Sequence, residues 1–157
     1  MCLRVFVATA APLPARAPAL SGAPSTFWLM PIDPVTLAPI QALLGGHVAE
    51  VGAHTGCACG FGSGGVAFET GAATSAELAP LRGALTDEEH DALAAEDASR
   101  AALRAAIERG LRSGPVRVYG VWWGGEADVA IDRRTVAPAH FTEQLEPVPE
   151  RVILDVV

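Results

Sequence analysis

The stretch from Thr86 to Arg112 constrains the fold more than any other part of the chain. Thr86-Asp87-Glu88-Glu89 has the form of a capping box, in which the Thr hydroxyl accepts the N3 amide and Glu89 reaches back. Acids fill the first turn, and Arg109 and Arg112 the last, the arrangement a helix dipole favours. Leu103, Ile107 and Leu111 fall at i, i+4 and i+8, with Ala102 and Ala106 beside them, and Ser113-Gly114-Pro115 ends the run. A break near Asp97 to Ser99 is compatible with the composition there. A helix of this length with one apolar stripe must lay that stripe on another element.

Strand patterns supply that element on both sides of the helix. Cys2–Thr9, Ser25–Ile32 and His47–Ala53 read as strands before it. Val116–Trp123 alternates after it: Val116, Val118, Gly120 and Trp122 share one face, and Arg117, Tyr119, Val121 and Trp123 the other. Gly124-Gly125 turns the chain, Asp128–Asp132 reads as a partner strand, and Arg151–Val157 as the last one. Thr36–Leu44 reads as a short helix ended by Gly45-Gly46. Four prolines between Pro12 and Pro24 mark a loop. Thr55–Gly65 reads as a glycine-rich turn system, and Val66–Thr70 as the returning arm of a hairpin. The expected fold is α+β: one domain over residues 1–157, with a mostly antiparallel, mixed sheet packed against one long helix.

Composition supports a packed domain. Of 157 residues, 50% are hydrophobic and 18% charged, which excludes disorder as the dominant state. Charge is uneven: only Asp33, Glu50 and Glu69 are charged between Ala17 and Ala76. Neither half alone supplies a core, so no domain boundary is drawn. The net charge of −7 argues against a nucleic-acid backbone as partner. Every basic residue is Arg, which removes Lys Schiff-base chemistry and the P-loop Lys. The charge-free run Val51–Phe68 contains six Gly and cannot serve as a membrane span. Ala15-Arg16-Ala17 imitates a signal cleavage site, but the apolar stretch before it is short and alternates as a strand. No membrane partner and a cytoplasmic location are expected, and an odd set of three Cys suits a reducing compartment.

One segment concentrates chemistry: His54-Thr55-Gly56-Cys57-Ala58-Cys59-Gly60-Phe61. An imidazole and two thiols within six residues can converge on one ion, at the roughly 2.0–2.3 Å bond lengths of zinc. Cys2 is the candidate fourth ligand, because adjacent strand ends can bring it to the loop; His47, His90, a carboxylate or water are the others. Gly56 and Gly60 permit the tight backbone path. The same residues suit thiol chemistry, with His54 as base and the neighbouring Cys resolving a sulfenic acid. They also suit a plain structural role, since free Cys is commonly buried. Trp122 and Trp123 are candidate pocket walls for a small-molecule or protein partner. Gly60-x-Gly62-x-x-Gly65 matches a dinucleotide fingerprint only in letters, because an extended segment and not a helix follows it. Asp128 and Asp132 read as a solvated face and His90 as a surface residue, while His140 sits in a Pro-flanked loop with no partner at ligand spacing. Removal of Met1 would make Cys2 an N-terminal nucleophile, but Leu3 stands where glycine normally follows such a Cys.

Met1-Cys2, His54-x-Gly56-Cys57-x-Cys59-Gly60-Phe61 and Tyr119-Gly120-x-Trp122 together resemble a family of small uncharacterised bacterial proteins. Length and motif order agree over most of the chain, with Ala58 in place of a Gly and Ala53 in place of a Ser. The resemblance implies a bacterial cytoplasmic protein and brings no activity with it. On the residues alone, the reading is a Cys/His-loop zinc or thiol site without an assigned reaction. The alternative is a non-catalytic binding module in which the loop is structural.

Overall fold

The computed structural model describes residues 2–17, 27–62, 70–125 and 132–157. They form a six-stranded sheet in the order β2-β3-β1-β4-β6-β5. In chain order the strands are β1 (Leu3–Thr9), β2 (Phe27–Pro31), β3 (His47–Ala53), β4 (Val116–Trp122), β5 (Asp132–Val136) and β6 (Val152–Val156). The helices are α1 (Ala38–Leu44), α2 (Ser75–Leu78), α3 (Asp87–Leu111) and α4 (His140–Glu143). All neighbouring strands run antiparallel except β5 and β6, which are parallel. The α+β class, the mixed sheet and the single long helix are as the sequence patterns require.

The strand periodicity sorts side chains onto two faces. Val5, Val7, Val51, Val118 and Leu154 point to one, where Leu103 and Ile107 of α3 pack on them with Phe61 and Phe141. Phe6, Ala8, Val48, Tyr119, Val121 and Ile153 point to the other, where Ile40 and Leu44 of α1 cover them. The sheet is therefore covered on both sides, and α3 is not its only partner. This explains why Val5 to Thr9 are buried at every position: β1 lies mid-sheet between two layers.

The capping box at Thr86 forms as read: Glu89 N–H donates to Thr86 Oγ1, and Thr86 N–H to Glu89 Oε2. The possible break at Asp97–Ser99 does not occur. Ser99 Oγ bonds the Ala95 carbonyl one turn back, and Asp97 pairs with Arg82 and Arg100, so both polar side chains are occupied without disturbing the helix. A second capping box, Thr74 with Glu77, starts α2 on the same T-x-x-E spacing.

The expected partner strand Asp128–Asp132 falls almost entirely outside the described residues. Strand β5 starts at Asp132 and pairs with β6, while β4 pairs with β1 and β6. The two glycines after Trp123 do not reverse the chain into a β4–β5 hairpin. Most of the expected hairpin arm Val66–Thr70, and the last Gly of the G-x-G-x-x-G letters, also lie outside the described residues.

Two measurements check this packing. Ile107→Ala removes a fully buried side chain between α3 and the sheet, and is expected to cost about 2–5 kcal/mol in chemical unfolding. The Asp155 carboxyl is held below the usual carboxylate range, first by its hydrogen bond from Arg133 and further by the charges of Arg133 and Arg117. Its contribution is present above the unfolded value near pH 4 and disappears as pH falls through the lower folded value. The gap in urea midpoint between wild type and Asp155→Asn at pH 7 should close in strong acid.

Candidate functional site

Antiparallel pairing of β1 with β3 sets the start of one strand beside the end of the other, with Val5 opposite Val51. Cys2 precedes β1, and the cysteine loop follows β3. Cys2 is anchored through its carbonyl, which accepts the Trp123 N–H at 2.9 Å. The loop turns at once: Gly56, at φ +80°, donates its N–H to the Ala53 carbonyl, and Ala53 N–H donates to the Cys57 carbonyl at 3.0 Å. A short 3₁₀ turn, Ala58–Phe61, then carries Cys59 back towards β1. Its tightness depends on Gly60. A Cβ there would lie 2.8 Å from Thr55 Oγ1 and 2.9 Å from Ala53 Cβ, so no larger residue fits without movement.

The sulfurs of Cys2, Cys57 and Cys59 consequently lie within 4.8 Å of one another, near enough to bind one metal ion. Cys2 and Cys59 are exposed, Cys57 is half-buried, and all three are free thiols. Their surroundings differ. Burial opposes charge on Cys57, but hydrogen bonds from the Thr55 hydroxyl and the Cys59 and Cys2 thiols outweigh it and hold its thiol below the ordinary thiol range. Burial pushes Cys59 up; the Leu3 N–H, donating to its sulfur at 3.3 Å, works against this, while neighbouring Cys57 and Cys2 add to the rise. Thiolates this close repel one another until a cation stands between them.

His54 is turned elsewhere and is not in this group. Its backbone N–H donates to Ser99 Oγ at 3.2 Å, and its Nδ1 lies 3.0 Å from the same oxygen. A hydroxyl has one proton. Spent on the Ala95 carbonyl, it leaves Nδ1 as the donor and Nε2 with the free lone pair. Burial against α3 keeps the imidazole below its usual range and so neutral. The structure therefore unites Cys2 with Cys57 and Cys59 and sets His54 behind them as a bracket to α3.

Two residues that sequence reasoning missed hold the loop from below. Ser99 takes the His54 contacts just described. Arg100 is wholly buried, bonded to Asp97, and its Nη1 donates to the carbonyls of Phe61 at 3.3 Å and Leu145 at 3.4 Å. One cation thus ties the cysteine turn to the segment after α4. An Arg in an alanine-rich helix reads as surface, and only the fold shows what it reaches.

The two tryptophans separate as their alternation predicts. Trp123 is 67% exposed and lies over Arg4, whose guanidinium carbon is 5.0 Å from the ring centroid. Trp122 lies on the other face, lining a cleft that Cys59 also borders. Among the described residues no helix is long and apolar enough to cross a membrane. Comparison with protein families, curated proteins and solved structures gave no match. Ser99→Ala is expected to cost about 1–3 kcal/mol by removing the acceptor of the His54 amide, with the largest rise in amide exchange at residues 54–61.

Proposed function

We propose that the protein is a metal-thiolate protein that binds one zinc-like ion through Cys2, Cys57 and Cys59. The observation that carries this reading is the convergence of three free sulfurs from two chain segments more than fifty residues apart. Tetrahedral zinc at roughly 2.3 Å from each sulfur requires sulfurs about 3.8 Å apart, so a contraction of an ångström or less closes the set. Thiolate ligands suit zinc and other soft ions over magnesium or calcium. Among the described residues no fourth His, Cys or carboxylate joins the group. With water or a ligand in the fourth position, the site would follow the pattern of sites that act on something rather than merely brace a fold. An ion so held supplies Lewis-acid polarisation and a more acidic bound water. The chain's own part is to anchor Cys2 and Cys59 at the end of the sheet and to brace the turn through Ser99 and Arg100.

Protein purified without chelators should carry about one zinc per chain by elemental analysis. Cobalt substitution should give a thiolate-to-metal charge-transfer band, and Cys57→Ser or Cys59→Ser should abolish both. Protein that stays metal-free when offered zinc, with both variants as stable as wild type, would overturn the reading.

A second reading rests on the same three neighbouring thiols. Cys57 is free and stands beside two others, the arrangement of a peroxide-sensitive thiol with a resolving partner. A disulfide formed by metal-free protein under mild peroxide, mapped by mass spectrometry, would favour it.

A further inference from the structure

The cleft beside Cys59 has a volume of about 380 Å³, inside the range of roughly 300–1,000 Å³ usual for small-molecule sites. It lies between the start of β1, the end of β4 and the segment 146–150. Its walls are apolar, with Leu3, Phe61 and Val148 inside and the Trp122 ring on one flank. Pro147 and Pro149 stiffen the opposite side. Among the described residues, its ionisable groups besides Cys59 are Glu146 and Glu150, and no Arg, Lys or His borders it.

The cleft is preformed. The Pro147 carbonyl lies 2.8 Å from His140 Nε2. Arg151, at φ +59°, donates its N–H to the Gly120 carbonyl at 2.8 Å. Gly120 makes the approach possible, because a Cβ there would lie 2.9 Å from Val148 Cγ1. The glycine of Tyr119-Gly120-x-Trp122 therefore admits the segment that builds the cleft, and the tryptophan lines it.

From this lining we infer that the cleft binds a small organic cation: an amine with an aromatic or branched apolar body. The apolar part would fill the space between the prolines and Phe61. The ammonium would meet the two carboxylates and the face of Trp122, which attracts cations through its ring quadrupole. Carboxylate and phosphate ligands are disfavoured, because nothing in the lining neutralises them and two acids repel them. Such an occupant would touch Cys59 and so stand beside the thiol group. The inference needs no metal and holds or fails separately from the zinc reading.

The test uses three probes of one shape, benzylamine, benzyl alcohol and phenylacetate, titrated into metal-free and zinc-exposed full-length protein. The readout is the Trp122 indole N–H resonance, assigned with Trp122→Phe. Benzylamine at pH 7 should move that resonance at lower concentration than benzyl alcohol, and phenylacetate should leave it in place. Bound benzylamine should also slow alkylation of Cys59 by iodoacetamide in metal-free protein, read by peptide mapping. Glu146→Gln with Glu150→Gln changes exposed side chains only, and should weaken benzylamine by about three- to tenfold without affecting benzyl alcohol. Phenylacetate binding as well as benzylamine, equal binding of benzylamine to the double variant, or no movement of the Trp122 resonance with any probe would each overturn the inference.

Discussion

The site depends on one pairing, that of β1 with β3. Because these strands are antiparallel and neighbours, residues remote in sequence arrive at one end of the sheet. The central place of β1 makes the arrangement stiff. It is bonded on both edges and covered on both faces, so Cys2 extends from one of the least yielding parts of the molecule. A register slip of one residue would reverse the faces of β1, turn Val5 and Val7 into the layer under α1 and Phe6 and Ala8 into the layer under α3, and carry Cys2 to the wrong side. The hydrophobic layers that hold the fold together therefore also fix where the first sulfur sits.

Much of this was legible from the sequence, for identifiable reasons. The helix from Asp87 to Leu111 announces itself through its caps and stripe, and β1 and β4 through alternation. The convergence of Cys2 with Cys57 and Cys59 followed from reasoning about strand ends. The role of His54 was not legible. Its spacing to Cys57 is that of a ligand, but the choice between the sulfurs and Ser99 depends on the position of α3, which local spacing does not encode. The same holds for Arg100, whose acceptors Phe61 and Leu145 lie 39 and 45 residues away. The parallel β5–β6 edge was missed because a diglycine after a strand normally signals a hairpin. Here the strand that takes the place beside β4 is the last one in the chain.

The chemistry and the architecture also share residues. Gly60 and Gly120 carry no side chain into the site, yet each admits a close approach that builds it, one for the cysteine turn and one for the 146–150 segment. Leu3 is at once a core-packing side chain and, through its backbone amide, a donor to Cys59. Substitutions there would be felt first as folding defects, and their effect on thiol reactivity would need to be separated from loss of stability.

Arg100 carries a mechanical consequence. Its guanidinium grips the turn bearing Cys59 with the same nitrogen that grips the segment leading to Glu146. The two banks of the cleft are thereby moored to a single post inside the protein. Widening the gap would strain both moorings together, so the cleft should resist being prised open.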